Sequence, residues 1–258
     1  MLAKAEYFNP RQTVAMPRQM LITAVPPTYR KEPEKVSWNQ ITRCLGLPFR
    51  PGLTKTLMRV DRFEDLPVDD VVTLVRALII DVDGTLIKRG MDYIPDEVIR
   101  KILAIREKIP VCIFPDDQEH LPELEKLGIP VVRHVPPKTD PRSFDVAVQL
   151  YLQSQNTSTR LLYPEQCGMV GDNFLTDGTC REIGMKFIHV KPLVGRESTI
   201  RALTRDCADG IARLHDRFRR EKKTLPAPFP PSVFAPGQIK DIIHSNGPIA
   251  TNTVRTTL

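Results

Sequence analysis

A mostly apolar segment, Val75 to Ile80, breaks abruptly into Asp81-Val82-Asp83-Gly84-Thr85. Further along, the short apolar pair Met169-Val170 breaks in the same way into Gly171-Asp172-Asn173-Phe174-Leu175-Thr176-Asp177. Strands that end in carboxylates are accommodated at the carboxyl edge of a parallel sheet, where the ends of separate strands converge on a ligand. Alternation along an extended segment puts Asp81 and Asp83 on one side, and Gly84 can release the chain from strand geometry. Two such clusters point to one phosphate and divalent-metal site assembled across a sheet.

The rest of the chain supplies that sheet. Strands are expected at Val75 to Ile80, Val111 to Phe114, Ile129 to Arg133, Cys167 to Val170 and Phe187 to Val190. Helices are expected at Pro95 to Glu107, Glu119 to Leu127, Pro141 to Leu152 and Asp177 to Ile183. Pro95 suits a first helical turn, and Ile99, Ile102, Leu103 and Ile105 give the helix behind it an apolar face. Alternating strand and helix periods predict a three-layer α/β domain. A chain of 258 residues fits one such domain with extensions.

With DVDGT and the block GDNFLTDGTCREIGMKFIHVKPL from Gly171 to Leu193, the chain resembles the haloacid dehalogenase-like phosphatases. Within them it is similar to the phosphatidylglycerophosphate phosphatase branch of bacteria and mitochondria, over about Trp38 to Leu193. The resemblance implies a capless, three-layer Rossmann-like fold. It makes Asp81 the nucleophile that becomes a phospho-aspartate and Asp83 the acid that protonates the leaving alcohol. Covalent catalysis of this kind divides ester hydrolysis into two displacements. It also implies Mg2+, held by Asp81, Val82 through its carbonyl, Asp83, Asp172 and Asp177, a hard oxygen set that suits this ion. Lys138, in Pro136-Pro137-Lys138-Thr139-Asp140-Pro141, matches the lysine that offsets charge on the nucleophile and the phosphoryl group.

One position departs from the pattern. Where these phosphatases place a serine or threonine after the second core strand, this chain has Pro115-Asp116-Asp117. Proline offers neither a hydroxyl nor an N–H, and the loss of a donor made in the transition state costs about 3 kcal/mol. Asp116 and Asp117 add negative charge near the substrate. The alternative function is therefore a catalytically weak or inactive phosphatase-like protein that serves a mitochondrial protein or ribonucleoprotein assembly. The short connections after Asp83 and Pro115 leave little room for a cap and predict an open site.

Outside the core, residues 1–36 form a basic, proline-containing extension, with Lys4, Arg11, Arg18, Arg30 and Lys31 against Glu6. That composition fits a targeting segment, and with the resemblance it points to mitochondria, in the matrix or at the inner membrane. The phosphatase-like domain is expected over 37–223, and an irregular proline-containing tail over 224–258. Trp38 to Phe49 and Leu53 to Leu66 carry apolar residues beside Arg43, Arg50, Lys55 and Arg59, a pattern open to peripheral contact with anionic phospholipid or to packing on the core. Ser198 to Arg220 reads as a helix interrupted near Gly210, with Ile200, Leu203, Ile211 and Leu214 packing inward. A net charge of +6 permits lipid, RNA or protein partners. No transmembrane segment is expected. Five widely spaced cysteines fit a reduced compartment.

Overall fold

The computed structural model describes residues 36–89, 91, 93–116, 121–156, 161–195 and 197–221. The basic amino-terminal segment, the proline-containing tail, Asp117 and the start of the helix expected from Glu119 lie outside the described residues. Among the described residues five parallel strands make one sheet: β1 (Met58–Val60), β2 (Ala77–Ile80), β3 (Val111–Ile113), β4 (Cys167–Gly171) and β5 (Lys186–Val190), in the order β1-β5-β4-β2-β3. Because β2 pairs with β3 on one side and β4 on the other, the chain leaves β2 in one direction and returns to its opposite flank. A ligand crevice forms beyond the strand ends at such a reversal.

β2 is buried at every position, and its alternation sends side chains to two cores. Leu78 and Ile80 join the cluster containing Phe63, Val98, Ile102 and Ile105, while Ala77 and Ile79 join Phe144, Val148, Met169 and Phe187. Helices α2 (Val68–Leu74), α3 (Asp96–Arg106) and α4 (Pro122–Lys126) lie on the first face. Helices α1 (Trp38–Gly46), α5 (Arg142–Val146) and α6 (Thr199–Glu221) lie on the second. The expected three-layer, Rossmann-like α/β architecture is present, and among the described residues no inserted domain stands over the sheet edge.

Local chemistry sets the element ends. Ser37 begins α1 with a reciprocal cap: its Oγ accepts from the Gln40 amide at 3.2 Å, and Gln40 Oε1 accepts from the Ser37 amide at 3.0 Å. The strand expected over Ile129 to Arg133 is reduced to a bridge between Ile113 and Val131, because Pro130 has no N–H to extend the ladder. Asp177–Ile183 is a 3-10 turn rather than an α-helix, and α5 widens after Val146 into looser turns through Leu152.

Two findings concern the flanks. Leu53 to Leu66 is open to lipid contact or to packing on the core, and the structure packs part of it as β1 on β5, from Met58 on Ile188 to Val60 on Val190. Its Arg59 meets α6 through Asp209 at 2.7 Å and Asp216 at 3.2 Å. Helix α6 runs unbroken through Gly210, and of Ile200, Leu203, Ile211 and Leu214 it packs Ile211 against the core and leaves the other three exposed. Arg201, Arg205, Ala208 and Ala212 are buried, whereas Ile200 is 62% and Leu203 68% exposed. Alanines allow close approach to α1, and arginines are drawn in by the acids beneath them.

Candidate active site

Each acidic motif sits at the end of a parallel strand, so adjacency of β2 and β4 brings Asp81 and Asp172 together. After Ile80, Gly84 adopts φ +85° and turns the chain back; a side chain there would drive a Cβ into the Asp172 carboxylate. Gly171 is equally constrained, because a Cβ would collide with the Asp177 carboxylate. The loop after β4 is closed by the Asn173 amide donating to Asp177 Oδ2 at 3.1 Å and the Leu175 amide donating to Asn173 Oδ1 at 2.9 Å. Asp81, Asp172 and Asp177 thus present carboxylate oxygens that all lie within 4.8 Å of one another.

Lys138 enters from the loop before α5 and is 3% exposed. Its ammonium contacts Asp81 Oδ1 and reaches Asp177 Oδ1 at 3.1 Å and Asp116 Oδ1 at 3.0 Å. Phe114 presents its ring 5.3 Å from the same nitrogen. Thr85 Oγ1 donates to Asp81 Oδ2 at 2.9 Å, so both oxygens of Asp81 are engaged. Thr179 Oγ1 donates to the Lys138 carbonyl and ties the lysine loop to the turn that carries Asp177. The expected convergence of Asp81, Lys138, Asp172 and Asp177 is therefore found.

Asp83 and Val82 stand differently. Asp83 is half-buried beside the cluster, with Arg89 in electrostatic reach. The Val82 carbonyl, expected to face a metal, accepts from the amides of Thr85, Leu86 and Ile87 at 3.2, 2.9 and 3.2 Å. The reversal at Gly84 turns these amides onto that oxygen, which serves the turn here.

Four residues that sequence reasoning passed over complete the site. Arg89, just beyond the first motif, places Nη2 3.3 Å from Asp172 Oδ1 and Nη1 3.6 Å from Asp116 Oδ2. Arg201 from α6 donates to Asp116 Oδ2 at 2.8 Å. Arg205, one turn along, holds Glu197 at 2.6 Å. The signal available in sequence was the i,i+4 spacing of Arg201 and Arg205, which shares one helix face. The site expected to be open is closed: Asp81, Asp172 and Asp177 are each 1% exposed, with Lys138 and Arg89 against them.

Burial shapes the charges. It raises the pKa of Asp81 despite the opposing effect of Lys138, and raises Asp172 to about 6 despite Arg89. Burial and then the charge of Asp81 push Asp177 well above the carboxylate range. Burial opposes charge on Asp116 too, but Lys138 and Arg89 outweigh it and hold its carboxyl low. Among the described residues, Asp81, Asp83, Asp116, Asp172, Asp177 and Glu197 face Lys138, Arg89, Arg201 and Arg205, leaving more carboxylates than cations. Three buried carboxylates with raised pKa values and an oxygen-only donor set fit a hard divalent cation.

No family model matches this chain, and neither does any curated protein. Among solved structures, a Vibrio cholerae protein provisionally described as a 3-deoxy-D-manno-octulosonate 8-phosphate phosphatase shares 16% identity. That match covers 61% of this chain and 92% of the other, with a TM-score of 0.31. The class is defined by the molecule itself: a Rossmann-like α/β protein with a buried aspartate cluster and a lysine at the carboxyl edge of its sheet.

Proposed function

We propose that this chain is a magnesium-dependent phosphomonoesterase of the haloacid dehalogenase-like type, acting through a phospho-aspartate on Asp81. The observation that carries this reading is the ion-paired Asp81–Lys138–Asp177 group beside Asp172. In the first displacement, an Asp81 oxygen forms a bond to phosphorus as the ester P–O bond breaks, and Asp83 gives its proton to the leaving alkoxide. In the second, Asp83 takes a proton from water, the resulting hydroxide attacks phosphorus, and Asp81 leaves with inorganic phosphate released. Lys138 offsets charge on the nucleophile and on the phosphoryl oxygens throughout. Asp81, Asp172 and Asp177 would hold Mg2+, which supplies charge neutralisation at those oxygens.

The proposed substrate is phosphatidylglycerophosphate, and the proposed location is mitochondrial, in the matrix or at the inner membrane. Support for a lipid surface comes from Trp38, Leu45 and Phe49, exposed by 79%, 70% and 85%, beside exposed Arg50 and Lys55. No helix of the described residues is long and apolar enough to cross a membrane, which leaves peripheral contact as the mode proposed. The test is phosphate release with Mg2+ from phosphatidylglycerophosphate, small phosphate esters and phosphopeptides, with Asp81→Asn in parallel. Release abolished by D81N is expected; equal release by D81N rejects Asp81 as nucleophile.

A second reading, an inactive phosphatase-like member of a protein or RNA assembly, is favoured by Pro115 together with the closure of the acids by the chain's own arginines. No release across the panel by folded protein, with recovery of a stable assembly from native extract, would favour it.

A further inference from the structure

Three cations of different origin meet one carboxylate. Asp116 Oδ1 lies 3.0 Å from Lys138, and Asp116 Oδ2 lies 2.8 Å from Arg201 and 3.6 Å from Arg89. Lys138 comes from the loop before α5, Arg89 from the turn after β2, and Arg201 from the first turn of α6. All three are nearly buried, so their charges act on Asp116 through little water, while Lys138 also pairs with Asp81 and Asp177 and Arg89 with Asp172. Asp116 follows Pro115, the position that offers a phosphoryl group neither hydroxyl nor amide. Guanidinium groups bind phosphoryl oxygens through directed, charge-assisted hydrogen bonds and can supply the donors missing there.

We infer that Lys138, Arg89 and Arg201 form the phosphoryl-oxygen subsite, and that the Asp116 carboxylate is its resting occupant, displaced by the phosphate of the substrate. The inference rests on the phosphatase reading for its substrate class, but the cradle itself is a property of the three cations and Asp116. It gives the acid beside Pro115 a role: its tethered carboxylate holds Lys138, Arg89 and Arg201 around one position when no phosphate is bound. A phosphoryl dianion carries more charge and one more oxygen than the carboxylate, so it can displace Asp116. It also makes α6 part of the site, since Arg201 substitutes for the absent hydroxyl.

The experiment is calorimetric titration of inorganic phosphate into the full chain with Mg2+, for wild type, Asp116→Asn, Arg201→Ala and Arg201→Lys, with thermal melts to confirm folding. Removing the tethered charge in D116N should tighten phosphate binding about tenfold, although it breaks ion pairs and lowers the melting temperature. R201A should weaken binding about tenfold, with R201K intermediate. Should R201A fail to fold, D116N and R201K still decide. Phosphate affinity in folded D116N equal to or weaker than wild type overturns the inference, because a purely structural ion pair predicts lost stability without gained affinity. Absence of phosphate binding in both proteins also overturns it. Tighter binding by D116N with no ester hydrolysis in wild type would sink the phosphatase reading and keep the subsite; hydrolysis without the D116N gain would do the reverse.

Discussion

His189 shows how much one buried ring can contribute. It stands on β5 opposite Gly171, stacks on Phe174 with ring centroids 4.9 Å apart, and has Arg59 Nη1 3.3 Å from Nδ1. Burial, and then the charge of Arg59, lower its pKa to about 4. In the unfolded chain histidine titrates near 6.5, so between those values the unfolded state takes a proton that the folded state refuses. The stability from the neutral ring is fully present above about pH 6.5 and is lost as pH falls through about 4, a change on the order of 3 kcal/mol. Melting temperatures of wild type and His189→Phe, followed from about pH 7.5 to about pH 4, should diverge in that window, with wild type losing more. Parallel curves would remove His189 from the account. The same scale shows what was legible beforehand. Asp81 and Asp172 could be read because each ends an apolar strand, and Asp177 and Lys138 because they stand in motifs that the resemblance singles out. Arg89 could not, and the spacing of Arg201 and Arg205 gives only a shared helix face, because an arginine is committed to a partner only when tertiary placement brings a buried acid within reach.

At the scale of elements, α6 separates pattern from packing. Counting apolar residues selects Ile200, Leu203, Ile211 and Leu214 as its inner face; the structure packs Ile211 on the core and leaves the other three exposed. The buried face is set by small size at Ala208 and Ala212, which pack near Cys44 and Leu47, and by ion pairing at Arg201 and Arg205. Ala208→Leu should therefore overfill this contact and cost about 1 to 3 kcal/mol. Leu203→Gln should stay within about 0.5 kcal/mol of wild type. Chemical denaturation of both variants checks the orientation, and the reverse order of stabilities would turn the helix over. The sheet strands β2, β4 and β5 were legible because burial on both faces requires continuous apolar runs. β1 was not: it is three residues long, half-buried, and has Arg59 at its centre.

For the whole molecule, the order of strands sets an order of events. β2 meets β3 through Leu78 and Val111, whereas β1 meets β5 through Met58 and Ile188, across most of the described chain. Loop closure favours the nearer pair, and pairings between distant segments are slow. Substitutions in the β2–β3 region, such as Ile79→Val, should slow refolding, whereas Met58→Ala should mainly speed unfolding. Stopped-flow chevrons would show this, and a folding rate lowered more by M58A than by I79V would invert the proposed order. On the ribosome the same pairing imposes a delay. β1 is made early and has no strand to join until Val190 has left the exit tunnel, so synthesis proceeds with an orphaned edge, and an interrupted message yields a chain whose first strand never finds its seat.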